Sequence, residues 1–167
     1  MVSFAIGTLG RPSSRLLSDL HPGMQKRCTA LFAAYAAKYP NNPQPFLTQT
    51  YRNMADQNAD YAKGRTTPGP VVTQAVFGRS LHNAYPALAF DVGFKDADGV
   101  VDWKTIDFTE MGALAASVDL EWGIHFNDRP HFQPRNGGDE YHWQLMAAGR
   151  EPVWGSIATN SDFGEPV

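Results

Sequence analysis

YRNMADQNADYAKGRTTPGPVVTQAVFGRSLHNAYPALAFDV, residues 51–92, is the stretch on which the reading of this chain turns. Its first part sets Met54, Gln57, Asn58 and Tyr61 on a helical repeat that ends at Gly64, a residue suited to the left-handed turn past a helix. From Arg65 the composition shifts to Pro, Gly and Thr, which reads as a loop followed by a short strand or turn. His82 lies in this punctuated region between Ser80 and Asn83, and Asp91 opens an apolar strand shortly after it. A loop histidine and a strand carboxylate can converge there on one point.

Toward the N-terminus, Met24, Leu31, Phe32, Tyr35 and Ala36 recur at helical spacing, and Pro40 stops the run, so a helix is expected over 24–39. Ser18 and Asp19 are its candidate caps. Cys28 lies inside this helix among small residues and reads as a buried structural thiol. "PFLTQTYR" (45–52) alternates as a strand does.

Toward the C-terminus, "LAFDVGFKDADGVVDW" holds two apolar runs joined by a turn, the pattern of a hairpin. Asp96, Asp98 and Asp102 around Gly99 lack the ligand spacing of a calcium loop and read as turn residues. Phe108, Met111, Leu114 and Ala115 form the core stripe of a further helix over 107–118. "LEWGIHFNDRPHFQ" suggests strand, turn and strand, with Pro130 arguing against Asp128 and His131 sharing a helix. A short packing helix is expected around 140–148.

Helices and hairpins that do not alternate as βαβ units indicate an α+β fold. With 167 residues, 43% of them hydrophobic and 19% charged, one domain is expected: a core over about 18–133, a tail over 134–167, and no separate cell-wall-binding domain. A formal net charge of -3 gives no electrostatic reason to bind nucleic acid. No segment approaches the ~20 consecutive apolar residues of a membrane span, so stable membrane insertion is not expected. The first twenty residues lack a basic start followed by an apolar run, so the expectation is a cytoplasmic product, which would need another agent to let it out if it works outside the membrane.

Cys28 is the sole cysteine, which excludes an internal disulfide and a Cys-rich zinc ribbon. It also lacks the electropositive setting of a nucleophile, and no G-x-S-x-G elbow surrounds Ser80. A metal, if bound, must use histidine and carboxylate. The candidates among five histidines are His82 with Asp91, and His131, which closes "DRPHF" three residues after Asp128. Three such N and O ligands plus a water make the usual catalytic zinc arrangement. Spacing alone does not choose among them, since there is no H-E-x-x-H and each histidine, taken singly, is more often structural.

The order of residues across the chain adds what single positions lack. Tyr51, Arg52, Gln57, Tyr61, Gly64, Arg65, Thr66, Pro68, Gly69, Val72, Thr73, Gly78, Ser80, His82, Ala89 and Asp91, followed by "LEWG" and "DRPHFQ", resemble the motifs of the D-alanyl-D-alanine carboxypeptidase and L-alanyl-D-glutamate endopeptidase family, especially its bacteriophage endolysin branch. The resemblance runs over most of residues 18–133. It implies a zinc DD-peptidase, hedgehog-like domain, with a small antiparallel sheet flanked by helices. It also implies Zn2+ on His82, Asp91 and His131, an acid/base carboxylate at Asp128 and a substrate-facing arginine at Arg52.

Ser80, Gln57, Arg65, Asn83 and His125 are candidates for substrate contact, with structural roles weighed beside each. The implied activity is hydrolysis of the peptidoglycan stem peptide at the L-Ala-D-Glu bond, by a monomeric endolysin that gathers in the host cytoplasm and reaches the periplasm through holin-type release. A D-Ala-D-Ala carboxypeptidase with the same zinc site, or a non-catalytic peptidoglycan-binding module, is the alternative.

Two departures stand out. "HNAYPALAFD" is two residues longer between His82 and Asp91 than the family pattern and lacks its glycine, so this connection must bulge. "EWGIHFND" lacks the second glycine and following tryptophan of the family element, and His125 and Phe126 occupy that neighbourhood.

Overall fold

The structure is a computed structural model that describes residues 5–6, 10–136 and 138–157. The ends of the expected lead-in and tail, residues 1–4 and 158–167, lie outside the described residues. In chain order the elements are β1 (Ala5–Ile6), α1 (Pro22–Lys38), β2 (Gln44–Gln49), α2 (Met54–Ala62), β3 (Ala84–Tyr85), β4 (Phe90–Lys95), β5 (Val101–Asp102), α3 (Thr105–Leu114), β6 (Leu120–Trp122), β7 (His131–Pro134) and α4 (Gly138–Ala147). Short 3₁₀ turns at Leu17–Asp19, Leu81–Asn83, Ala115–Val118 and Gly123–Phe126 join them.

All pairings in the main sheet are antiparallel, in the order β2-β4-β7-β6. β5 also pairs with β4, at Phe94↔Asp102 and Lys95↔Val101, so β4 is the shared centre. This is the α+β architecture expected. The small β1–β3 sheet was not foreseen, because two-residue strands carry no readable period.

Strand alternation sorts the two faces of β4. Phe90, Val92 and Phe94 are buried in the core, where Phe94 meets Tyr35 of α1 at 5.4 Å and Phe108 of α3 at 5.0 Å. Phe132 of β7 continues this face, stacked on Phe90 at 5.5 Å. Met24, Cys28, Leu31 and Tyr35 supply the buried stripe of α1 against it. Burial pushes the Cys28 thiol up to about 12, which suits an inert packing residue. Asp91, His131 and Gln133 therefore fall on the opposite face. The period-2 geometry that builds the core turns these polar side chains together.

The expected turn at 95–99 is present: Asp96 Oδ1 accepts from the N–H groups of Asp98 and Val100, which accounts for the aspartate without a cation. The α1 cap differs from expectation. Ser18 and Asp19 lie in or beside a 3₁₀ turn, and His21 caps the helix instead, with Nδ1 accepting from Gly23 N at 3.0 Å. With Pro22 at the first helical position, the helix starts two residues earlier than the 24–39 that the apolar repeat suggests.

The His21 cap has a consequence for pH. Burial, and then the charge of Arg27, lowers the pKa of His21 against the opposing pull of Glu151, and a proton on Nδ1 removes the acceptor that closes α1. A folded-state pKa below the unfolded value of about 6.5 means the contribution is present above that pH and is lost as pH falls through the folded value. Urea unfolding at stepped pH should show stability dropping below about 6.5, and His21→Asn, a cap that does not titrate, should flatten that component. An unchanged pH slope in His21→Asn removes this role from His21.

Candidate metal centre

Asp91 and His131 are direct cross-strand partners on β4 and β7, which brings their side chains side by side. His82 reaches the same point from the Leu81–Asn83 turn. Ser80 caps that turn, its Oγ accepting from His82 N, while Asn83 Oδ1 accepts from Ser80 N and Gly78 N. The lengthened connection that follows does not open outward. Leu88 N donates to Leu81 O at 3.1 Å, Ala84–Tyr85 pairs with β1, and a cis Tyr85–Pro86 peptide completes the bulge.

His82 Nε2, His131 Nδ1 and Asp91 Oδ1 lie 3.1–3.2 Å from one another. The outer nitrogens settle the tautomers. His82 Nδ1 faces the Thr50 carbonyl at 2.6 Å and His131 Nε2 faces Gln133 Oε1 at 2.8 Å, so each must donate there. Two lone pairs and a carboxylate oxygen are left facing one another in a buried site.

That arrangement calls for positive charge. Burial by itself would raise Asp91, yet the imidazoles of His82 and His131 hold it well below the usual carboxylate range. Burial by itself would lower His131, yet the hydrogen bond and charge of Asp91 carry it to about 8. A divalent cation answers all three donors at once, whereas a proton satisfies one. Tetrahedral bonds of ~2.05 Å set neighbouring ligands about 3.3 Å apart, close to the separations seen. The residues therefore fit a metal ion, and they are a group that could hold one.

The ligand group opens on a cleft of about 650 Å³ lined by Arg52, Asp60, Ser80, Glu121, Phe126 and Asp128 among others, with Val72 and Trp103 on its apolar wall. Asp128 stands off the ligand group. Burial, and then the negative charge of Asp91, raises its pKa, against the pull of His131, His82 and Arg52. Its loop is tightly set: Asp128 N donates to Gly123 O at 2.9 Å, Pro130 O accepts from Val92 N, and Trp122 Nε1 donates to Arg129 O. A Cβ at Gly123 would run into the Asp128 carbonyl, so glycine is needed there.

Arg52 lines the cleft and also reaches Asp91 Oδ2 at 3.4 Å and Asp60 Oδ2 at 3.6 Å. Four residues expected near the substrate lie elsewhere. Gln57 and Asn83 are wholly buried behind Arg52, where Gln57 Nε2 donates to Ala75 O and Asn83 Nδ2 donates to Arg52 O and Gln57 Oε1. Arg65 stacks over Tyr61 and donates to Tyr61 O, Thr73 O and Gln74 Oε1, so it braces the wall residues Thr73 and Gln74 without lining the cleft itself. His125 is exposed and off the wall, and its neighbour Phe126 lines the cleft instead, edge-on to His131 at 5.4 Å. Thr50, Glu121 and Gln133 were not foreseen. Gln133 had a signal, since it stands two residues beyond His131 on one face of a strand.

Fold and site together define a peptidase of the zinc DD-peptidase architecture. The Serratia marcescens L-Ala D-Glu endopeptidase ChiX superposes with a TM-score of 0.54 at 22% identity, covering 71% of this chain and 82% of that one. The vancomycin-resistance D,D-pentapeptidase VanY, solved with Zn(II), superposes at 0.51 and 16% identity, covering 78% and 80%. The peptidoglycan L-alanyl-D-glutamate endopeptidase CwlK of Bacillus subtilis (strain 168) is 33% identical over 128 residues, 70% of this chain and 74% of CwlK. No family model matches. The chain belongs to the peptidoglycan L-alanyl-D-glutamate endopeptidase family.

Proposed function

We propose that this chain is a zinc peptidase of the peptidoglycan stem peptide that cuts between L-Ala and D-Glu, with the metal on His82, Asp91 and His131. The observation that carries the reading is the meeting of three donor atoms, from His82, Asp91 and His131, at one end of an open cleft, with a second carboxylate, Asp128, lining the same cleft outside the group. A bound zinc ion would supply a Lewis acid and a water of lowered pKa. Asp128 takes the proton from the attacking water and returns it to the leaving amine; a raised pKa suits it to both steps. Arg52 holds Asp91 from behind and presents its guanidinium to developing negative charge or to a substrate carboxylate. Val72, Trp103 and Phe126 give the cleft an apolar side for the peptide's methyl groups or the adjoining sugar.

We propose further that this catalytic domain acts as a monomer. Its use as a phage endolysin, held in the host cytoplasm and passed to the periplasm through holin-type pores, rests on the motif resemblance to that branch. Among the described residues no helix is long and apolar enough to cross a membrane.

Mass spectrometry of digested peptidoglycan tests the bond assignment. Free tetrapeptide beginning at D-Glu, with L-Ala left on the sugar, is the expected product. Loss of a terminal D-Ala alone would instead make the chain a D-Ala-D-Ala carboxypeptidase.

A further inference from the structure

Gln133 touches the ligand group at the outer nitrogen of His131, and what orients Gln133 is Glu121. The two are directly opposite on β7 and β6. Gln133 is 3% exposed, its Oε1 faces His131 Nε2 at 2.8 Å, and its Nε2 donates to Glu121 Oε2 at 3.3 Å. An amide presents a donor at one end and an acceptor at the other, and either end fits the same space. A carboxylate only accepts. With Glu121 opposite, the NH₂ end must point to β6 and the carbonyl end to His131.

This choice reaches the metal. A carbonyl at His131 Nε2 requires the proton to sit there, which leaves Nδ1 bare toward His82 Nε2 and Asp91 Oδ1. A reversed amide would present N–H to Nε2 and drive the proton to Nδ1, into the ligand group. We propose that Glu121 is a positioning residue that sets the metal-binding tautomer of His131 through the orientation of the Gln133 amide. The inference rests on the metal site proposed above, and it concerns zinc affinity rather than turnover. Glu121 also lines the cleft, so the competing role is direct action on the substrate.

The two roles separate in a zinc-competition titration against a chromophoric chelator. Glu121→Leu frees the amide to reverse and should weaken zinc binding by ~10- to 100-fold, the usual cost of losing a partner behind a metal-bound histidine. Gln133→Glu in the Glu121→Leu background supplies a carboxylate that accepts from His131 Nε2 whatever stands at 121, and should restore affinity to within about threefold of wild type. Glu121→Val, better suited to a strand, replaces Glu121→Leu if that variant fails to fold. Unchanged zinc affinity in the single variant, or a loss that Gln133→Glu does not repair, overturns the proposal. Lost turnover at wild-type zinc affinity overturns it too, and makes Glu121 a group that acts on substrate. A wild-type chain that binds no zinc would defeat the metal reading itself, an outcome distinct from all of these.

Discussion

Asp128→Ala should keep its zinc and lose turnover on peptidoglycan by ~10²- to 10⁴-fold, the range that a positioned acid/base contributes. The separation of the two readouts follows from placement. In the proposed site Asp91 would supply the ligand oxygen between two imidazoles, and a carboxylate whose electrons are donated to a metal is a poor base. Asp128 stands on the loop before β7, facing the same cleft but outside the trio whose donor atoms converge. Burial raises its pKa, which makes it a better proton acceptor once ionised and a usable donor afterward. Metal content by atomic absorption and release of soluble muropeptides check the two halves independently. Stoichiometric loss of zinc in Asp128→Ala would falsify the division of labour between the two aspartates.

His131→Ala should lose both metal and activity, and chelation of the wild-type protein should do the same reversibly. Lysis of outer-membrane-stripped Gram-negative cells is expected to stop in a strong chelator and to return with added zinc. The loss is large because the remaining pair, His82 and Asp91, no longer makes a three-donor site. Stability gives a second readout. A ligand held only by the folded state stabilises it by RT ln(1 + [L]/Kd), about 4 kcal/mol at a thousandfold excess over Kd. Wild-type protein should therefore melt higher with zinc than with chelator, and His131→Ala should show no such difference. Lysis that continues undiminished in chelator would remove the metal from the mechanism.

Much of the architecture was legible in local pattern. α1, α2 and α3 follow from their apolar spacing, and β4, β5 and the turn between them follow from two apolar runs around "KDADG". The start of α1 was misjudged because capping depends on a particular hydrogen bond. Ser18 and Asp19 have suitable side chains, yet His21 beside Pro22 takes the role. The strands β1 and β3 were out of reach because they exist only through pairing with each other.

The candidate site divides in the same way. Which residue types stand in "SLHN", "AFDV" and "DRPHFQ", and in what order, is written in the chain, and that order was enough to single out His82, Asp91 and His131 by resemblance. Their convergence is tertiary, since residues 49 positions apart meet at 3.2 Å only because β4 and β7 pair at Asp91↔His131 and the Leu81–Asn83 turn folds over them. Gln57 and Asn83, candidates for substrate contact, are buried among backbone and side-chain partners, for polarity tells which side chains need partners but not which side of the wall holds those partners. The tertiary structure also introduced Gln133, Glu121 and the Thr50 carbonyl, whose work is to hold a proton on one nitrogen of a histidine. Sequence determined the chemistry available to this protein. Only the packing of the sheet decided which atoms face one another, because donor direction and tautomer depend on neighbours brought from distant parts of the chain.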